Sequence, residues 1–337
     1  MAGTVLCAAG GLAGAGFALP LRGIKSWKYE SGWLVYSVSG LLLFPVILAL
    51  VTVNDLWGVI GRTDGAVLRR CFCFGMLWGV GGLTWGLMIR YLGIGLGLAI
   101  GCGLCSAAGT LIPPLVAGRA ADLVKDSAAI ATLASVAVSL AGIAAVGFAG
   151  MLKEREVDDE TKKKAVADFN FGKGMTVAIF SGIASAGMNF GLQSGKALES
   201  AAAASGTASQ WTGMPVLVVV LLGGFVVNAT WCLVQNAKNS SFGDYRNPRP
   251  ANWFCGMAAG VVWAAQFACQ KAGEPAMGDM AYVSFAVVMG SCVLFSSLLG
   301  VVLGEWRGTG AKTRAHLCAG LLLLAASIGL AVFAKGL

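Results

Sequence analysis

The chain reads as a succession of long apolar runs separated by short polar breaks, not as half-buried helices or alternating strands. The runs cover residues 4–21, 33–53, 71–90, 93–117, 128–150, 174–195, 212–236, 252–271, 280–303 and 315–335. A helix needs about 20 mainly apolar residues to cross a bilayer, so the pattern predicts ten membrane-spanning helices. The breaks are too short to house a soluble domain. No basic segment precedes the run at 4–21, which argues for a helix rather than a cleaved signal peptide.

The hydrophobic code also repeats itself. Gly11-Leu-Ala-Gly-Ala-Gly16 returns as Gly182-Ile-Ala-Ser-Ala-Gly187, and in that frame Lys25 falls on Lys196. Gly75-Met76-x-x-Gly79-Val80 returns as Gly256-Met257-x-x-Gly260-Val261, and Arg90 falls on Lys271. With five spans before each restart, the second copy lies upside down relative to the first. Inverted repeats of this kind are a common construction of secondary transporters, with substrate held near the midplane between the copies. The expected fold class is therefore an all-α membrane protein of ten transmembrane helices in two inverted five-helix repeats. Residues 1–150 form the first repeat, 151–173 a cytoplasmic linker and 174–337 the second repeat.

Composition agrees. Hydrophobic residues make up 57% of the 337, charged residues only 12%, and the mean hydropathy is +0.77. Soluble domains carry about 25% charged residues, so too few charges are present here to cover a water-facing surface. The net charge of +8 would suit nucleic acid, but its carriers sit in the breaks between spans, where topology explains them. The loops after spans 1, 3, 5, 7 and 9 hold 16 of the 24 Lys and Arg residues. The positive-inside rule then places both termini outside and the 153–173 loop in the cytoplasm. That loop mixes Lys162-Lys163-Lys164 with Asp158-Asp159-Glu160 and lacks aromatics among them, so it reads as a solvated linker.

Several motifs receive structural readings. Cys102-Gly-Leu-Cys105 has metal-site spacing, but it lies in an apolar helix with no second such pair, and His316 is the single histidine. The cysteines read as small buried side chains, and neither a metal nor a cofactor is expected. Gly93, Gly97 and Gly101 share a helix face and read as a close-packing stripe. Pro113-Pro114 should bend or stop span 4, and Pro20 should do so at the end of span 1.

Polar side chains within spans are costly unless paired or facing water, so they are the best functional candidates. Trp78 and Trp85 share a face of span 3, Trp263 and Gln266 a face of span 8. Span 6 carries Asn189, Gln193 and Lys196 on one stripe continuing to Glu199, and span 7 carries Asn228 and Gln235. Singly, each reads equally well as an interfacial anchor or as helix glue. Together they point to a site for a neutral polyhydroxylated ligand, because amides donate and accept while indole faces pack on the C–H face of a sugar ring.

The residues also carry a family likeness. Trp78 through Gly93 closely resembles the third-helix signature of L-rhamnose/proton symporters. So do Pro20 through Trp33 with its Lys25-x-Trp27-x-x-Glu30 pattern, and Ser185-Ala186-Gly187-Met188 leading to Lys196 and Glu199. Trp263-x-x-Gln266-Phe267 and Gly304-Glu305-Trp306 match as well. That family belongs to the drug/metabolite transporter superfamily, so the resemblance implies ten helices in inverted repeats. It implies uptake of L-rhamnose or a related neutral sugar with protons across a bacterial-type cytoplasmic membrane. It also implies a cavity lined mainly by helices 1, 3, 4, 6, 8 and 9, with 5 and 10 peripheral.

The expected substrate-binding residues are Trp78, Trp85, Asn189, Gln193, Trp263 and Gln266. The coupling or gating candidates are Lys196, Glu199, Lys25, Glu30, Arg90 and Lys271. No Asp or Glu sits mid-span, so Glu199 beside Lys196 is the coupling candidate, with a structural i,i+3 ion pair as the competing reading. A membrane enzyme would need clustered Asp, Glu or His in the spans, which are absent. A nucleotide-sugar or other drug/metabolite carrier on the same fold is the alternative within transporters. The expected partners are a sugar, protons and the lipid bilayer, with no nucleic acid.

The charge asymmetry makes orientation testable. A cysteine placed in the 153–173 loop, in a background lacking other reactive thiols, should resist an impermeant thiol reagent in intact cells and react after lysis. Ready labelling in intact cells would reverse the assignment.

Overall fold

The structure, a computed structural model, describes residues 2–116, 127–157, 166, 168–246, 249–277 and 284–333. Every regular element among the described residues is helical. In chain order the long helices are α1 (Ala2–Leu21), α2 (Tyr29–Thr52), α3 (Gly65–Leu92) and α4 (Ile94–Val116). They continue with α5 (Ser127–Glu156), α6 (Phe171–Ala204) and α7 (Met214–Lys238). The last three are α8 (Pro250–Met277), α9 (Ser284–Val302) and α10 (Ala311–Phe333).

Polar residues at the breaks start these helices. The Asp64 carboxylate accepts from the Ala66 N–H at 2.8 Å where α3 begins, and the Asn170 side chain accepts from the Lys173 N–H at 3.0 Å where α6 begins. Such caps satisfy donors that have no partner inside the helix. Only Gly93 separates α3 from α4, at φ +86°, a left-handed conformation that glycine adopts without a Cβ clash. Gly93 is thus a turn, while Gly97 and Gly101 pack on Met88 and Trp85 of α3. Helix α4 does not stop at Pro113-Pro114 but runs to Val116. α2 contains a π-helical turn at Val38–Leu43, and α6 is broken at Ala186 and Gly195.

By length and composition, six helices among the described residues can cross a membrane: Ala2–Leu21, Tyr29–Thr52, Gly65–Leu92, Leu133–Lys153, Phe171–Ala204 and Ser209–Lys238. Shorter apolar stretches lie at Ile94–Gly109 and Val287–Val302. The expectation of ten spans is therefore met in part. Helix α8 carries Gln266, Gln270, Lys271 and Glu274, which draw its hydropathy down.

The packing is reciprocal. α1 packs on α8 and α9, while α6 packs on α3 and α4; α7 packs on α3, while α2 packs on α8. α2 pairs with α7, α4 with α9 and α5 with α10. Glycines make the closest crossings. A Cβ on Gly260 of α8 would lie 2.8 Å from the Gly40 nitrogen of α2, and one on Gly79 of α3 would lie 2.9 Å from the Gly224 Cα of α7. Gly11 meets the Val288 carbonyl and Ser291 of α9, and its repeat partner Gly182 meets the Gly101 carbonyl and Leu104 of α4. Lipid removes the hydrophobic drive between helices, so close backbone approach and dispersion must hold them.

The loops interlock at both ends. At one end Asn54 and Thr207 join the α2–α3 and α6–α7 loops, the Asn54 N–H donating at 3.0 Å. At the other, the Lys28 N–H donates to Asp244 at 2.8 Å, and the Lys25 N–H and carbonyl bond both ends of the Asn252 amide. There Glu305 accepts from the Ile94 and Gly95 N–H groups at 2.9 Å each and pairs with Arg22 at 3.3 Å, so a carboxylate faces the positive end of α4.

The expected linker is not wholly solvated. Lys153 is buried, its Nζ 4.8 Å over the Phe169 ring and 5.1 Å over Trp306. Glu156 accepts from the Thr313 hydroxyl at 2.6 Å and the Gly310 N–H at 2.9 Å, and these bonds hold its carboxyl below the usual range. The run 158–165 lies outside the described residues.

The crossings make a contrast testable. Gly260→Val puts side-chain atoms against α2 backbone that cannot yield, and should cost about 1–3 kcal/mol or more. Gly61→Ala, with open space around it, should change stability by less than about 0.5 kcal/mol. Thermal melts of the detergent-solubilised proteins would separate the two, and equal midpoints would refute the packing.

Candidate functional site

The glycine crossings hold the helices together along part of their length, and where they splay a central cavity opens. Its volume is about 40 Å³. Its walls come from α1 (Gly14, Phe17), α2 (Trp33, Tyr36), α3 (Trp78, Gly82, Trp85) and α4 (Cys102, Cys105). Ser185 and Met188 of α6, Asn228 of α7, Trp263, Gln266 and Phe267 of α8, and Phe285, Met289 and Cys292 of α9 complete it. Among the described residues neither α5 nor α10 contributes, and no charged side chain lies in the lining.

Aromatic rings dominate the walls. Trp78 and Trp263 stack from facing helices at 5.0 Å between centroids and 23° between planes. Trp33 stacks on Tyr36 at 4.5 Å, and Tyr36 meets Trp263 edge-on at 6.2 Å. Offset-stacked and edge-to-face pairs of this kind add about 0.5–1.5 kcal/mol each beyond area burial, so the walls are preformed.

Two polar groups stand out against them. The Gln266 side chain is buried, and no hydrogen bond to its amide occurs among the described residues. The Ser185 hydroxyl is likewise buried and unpartnered. Leaving a buried polar group unmatched costs about 1–3 kcal/mol, a cost that a hydroxylated ligand would relieve. Gly14 makes room for the Gln266 carbonyl oxygen, since any Cβ there would collide with it. Asn228 is already committed: its oxygen accepts from the Trp33 indole N–H at 2.8 Å, and its NH₂ donates to the Gly79 and Gly224 carbonyls at 3.2 and 2.9 Å.

Of the six expected binding residues, Trp78, Trp85, Trp263 and Gln266 meet in this cavity. Asn189 and Gln193 do not. Asn189, one turn beyond Ser185, is buried beside Gly109, and Gln193 is exposed a further turn on. The polar stripe of span 6 presumes one straight helix at the depth of the ligand. The breaks at Ala186 and Gly195 interrupt that helix, and its cavity-lining level is Ser185 and Met188. Trp33, Tyr36 and Phe17 line the cavity without having been singled out. Their sequence signal is the aromatic spacing of Trp33 and Tyr36 in span 2, a helix the family likeness does not place among the main walls.

The expected Lys196–Glu199 pair is corrected too. Lys196 is exposed, and Glu199 pairs instead with Lys271 of α8 at 2.5 Å. Lys271, with only 6% of its side-chain surface exposed, also binds Glu274 at 2.7 Å. The Ser284 hydroxyl and the Gln270 amide donate to Glu274 at 2.8 and 3.1 Å, tying α8 to the start of α9. An i,i+3 rule sees only neighbours on one helix, whereas burial pulls Glu199 toward the cation that packing brings from another helix. This cluster closes the end of the bundle that also holds Asn54 and Thr207.

At the opposite end, Arg90 pairs with Asp168 at 2.5 Å. Buried Glu30 accepts from the Asn239 amide and the Ser241 hydroxyl at 2.8 Å each, not from Lys25. A second, more open cavity of about 250 Å³ lies there, lined by Leu21, Ile24, Trp27, Lys28, Tyr29, Gly32, Trp33 and Arg90.

Comparisons with known proteins converge on one family. Residues 1–334 match the family described as L-rhamnose-proton symport protein (RhaT). The chain is 33% identical over 329 residues to an L-rhamnose-proton symporter of Yersinia pestis bv. Antiqua (strain Antiqua), covering 95% of this chain and 94% of that one. It is also 33% identical over 330 residues to an L-rhamnose-proton symporter of Yersinia pseudotuberculosis serotype O:1b (strain IP 31758), with the same coverage.

Proposed function

This chain belongs to the L-rhamnose-proton symporter family, and on that premise we propose that it takes up L-rhamnose or a related neutral monosaccharide by proton symport. The observation that carries the substrate class is the central cavity. Its walls are stacked tryptophans, its polar groups include the unmatched Gln266 amide and Ser185 hydroxyl, and among the described residues no charged side chain lines it. Aromatic faces suit the C–H face of a sugar ring, and an amide can donate and accept with its hydroxyls. A phosphate-bearing substrate would call for cations in that lining, and a cationic drug for a carboxylate.

The architecture proposed is ten transmembrane helices in two inverted five-helix repeats, 1–150 and 174–337, with both termini on the outer side of a bacterial inner membrane. The reciprocal packing supports it: the partners of α1, α2 and α3 become those of α6, α7 and α8 when every helix number advances by five. The interlocked loops behave alike, α2–α3 with α6–α7 at one end and α7–α8 with α1–α2 at the other. A carrier built this way works by alternating access around a central site. The Lys271 end is then the outer end, and the arrangement described is closed toward it.

For coupling, we assign the proton to the outer cluster, with Glu199 as its carrier. Two carboxylates share the single Lys271 ammonium, so a proton on Glu199 leaves a neutral Lys271–Glu274 pair and frees α6 from α8. That release lets the repeats separate at the outer end, where water supplies the proton. Lys196 becomes a surface residue in this scheme, and Arg90 with Asp168 and Glu30 with Asn239 are the inner contacts that must open for release.

Two measurements test this. Loss of one ligand hydrogen bond or ring contact costs about 1–3 kcal/mol, so Gln266→Ala and Trp263→Ala should each weaken L-rhamnose binding to purified protein roughly tenfold or more. Wild-type affinity in both would remove the sugar from this cavity. Glu199→Gln, which imitates the protonated acid, should keep sugar counterflow and lose accumulation against a gradient. If it still concentrates sugar under an imposed pH gradient, the proton travels elsewhere.

A further inference from the structure

Trp33 belongs to both cavities: it lines the central one and the one at the Arg90 end. It is almost fully buried, at 3% exposure, and stacks between Tyr29 at 5.3 Å and Tyr36 at 4.5 Å. Toward the opposite end the central cavity is backed by the Lys271, Glu199 and Glu274 cluster, with Gln270 and Ser284 bonded into it. Toward the Arg90 end, Trp33 is the side chain common to both chambers. We propose that Trp33 is the inner gate, with Asn228 as its latch and Gly86 as its seat.

Three features make this aromatic movable where the helix crossings are not. Its one polar tether is the indole N–H bond to Asn228 Oδ1 at 2.8 Å, a side-chain bond that breaks without unravelling any helix. Its floor is Gly86 of α3, where any Cβ would collide with the Tyr29 hydroxyl and lie 3.1 Å from the Trp33 ring. The π-helical turn Val38–Leu43 follows immediately in the same helix. Such turns widen a helix locally and recur at functional sites, and this one lets the Trp33 segment shift while Gly40 stays against Gly260.

Asn228 is well placed to hold the gate. Its NH₂ is fixed by the Gly79 carbonyl of α3 and the Gly224 carbonyl of its own α7, so its oxygen points at Trp33 as long as α3 and α7 stay together. Both helices must move relative to α2 for the inner end to open, and the bond to Trp33 reads that movement. This rests on the reading of the central cavity as the substrate chamber, since only then is the partition a gate.

The cavity contains its own reporters. Cys105 and Cys292 line it together with Cys102, whose Sγ lies 3.6 Å from that of Cys292, whereas Cys7 and Cys71 are buried outside it. A small, charged methanethiosulfonate applied to inside-out membrane vesicles would reach Cys105 and Cys292 only past Trp33, and peptide mass spectrometry can follow each thiol separately. Asn228→Ala removes the latch, and Trp33→Phe keeps an aromatic plug without the N–H. Each should speed modification of Cys105 and Cys292 by about fivefold, the factor for one net hydrogen bond of roughly 1 kcal/mol. From the outer face of intact cells their modification should stay at the wild-type rate.

Unchanged rates in both variants would overturn the proposal, as would acceleration from the outer face. Equal acceleration of Cys7 and Cys71 would also overturn it, because that marks a loosened fold rather than an opened gate. Should Asn228→Ala not yield folded protein, Trp33→Phe decides the matter, since its ring preserves the stacking. Sugar takes no part in this experiment. A failed gate therefore leaves the binding result for Gln266 and Trp263 standing, and a failed sugar assignment leaves the labelling result standing.

Discussion

The structure depends on backbone-to-backbone contact at a few glycines. Helices in lipid gain little by hiding apolar surface from one another, because the solvent is as apolar as they are. They associate where they can approach closely enough for dispersion to accumulate. Gly40 on Gly260 and Gly79 on Gly224 are such points, one between α2 and α8 and one between α3 and α7. The missing side chains also leave room beside the crossings for bulky rings, as where the Trp78 indole lies against Gly224. Trp33, Tyr36, Trp78, Trp85 and Trp263 wall the cavity. The glycines therefore help set where the cavity lies.

Charge is arranged under the same constraint. Ionic groups are costly in the membrane interior and are tolerated when paired or hydrated, and here the ion pairs lie at the two ends of the bundle. Lys271 with Glu199 and Glu274 stands at one end; Arg22 with Glu305 and Arg90 with Asp168 stand at the other. The ends are not equivalent. One joins α6, α8 and α9 through a buried ammonium, while the other carries half-exposed arginines and a second cavity. In the alternating-access reading, this inequality is what a single conformation of an inverted repeat has to show, because the two halves adopt different arrangements in one state.

Much of the fold was legible in the residues. Helix positions follow from run lengths, and the boundaries at 4–21, 71–90, 93–117 and 212–236 fall within a few residues of α1, α3, α4 and α7. Repeat-related Gly11 and Gly182 make equivalent contacts on α9 and α4. Part of the site was legible as well, since Trp78, Trp85, Trp263 and Gln266 lie on helical faces that do converge. Asn189 and Gln193 misled because helical spacing gives a face but not a depth, and the breaks in α6 shift the depth. Glu199 misled in another way. Lys196 is near in sequence, but Glu199 pairs with the buried Lys271 that packing brings from α8.

Local physical chemistry is what the chain determines by itself: which stretches prefer lipid, which faces are polar, which positions permit close approach, and which side of the membrane attracts lysine and arginine. Each depends on a residue and its neighbours within a turn or two, so periodicity and composition reveal it. Only the tertiary structure decided that Trp33 lines two cavities, that Asn228 accepts its indole N–H, and that Gln266 and Ser185 are left unmatched beside stacked indoles. These depend on where helices far apart in sequence cross and how far they splay. That is set by pairwise backbone contacts summed over the whole bundle, and no single stretch of sequence contains it.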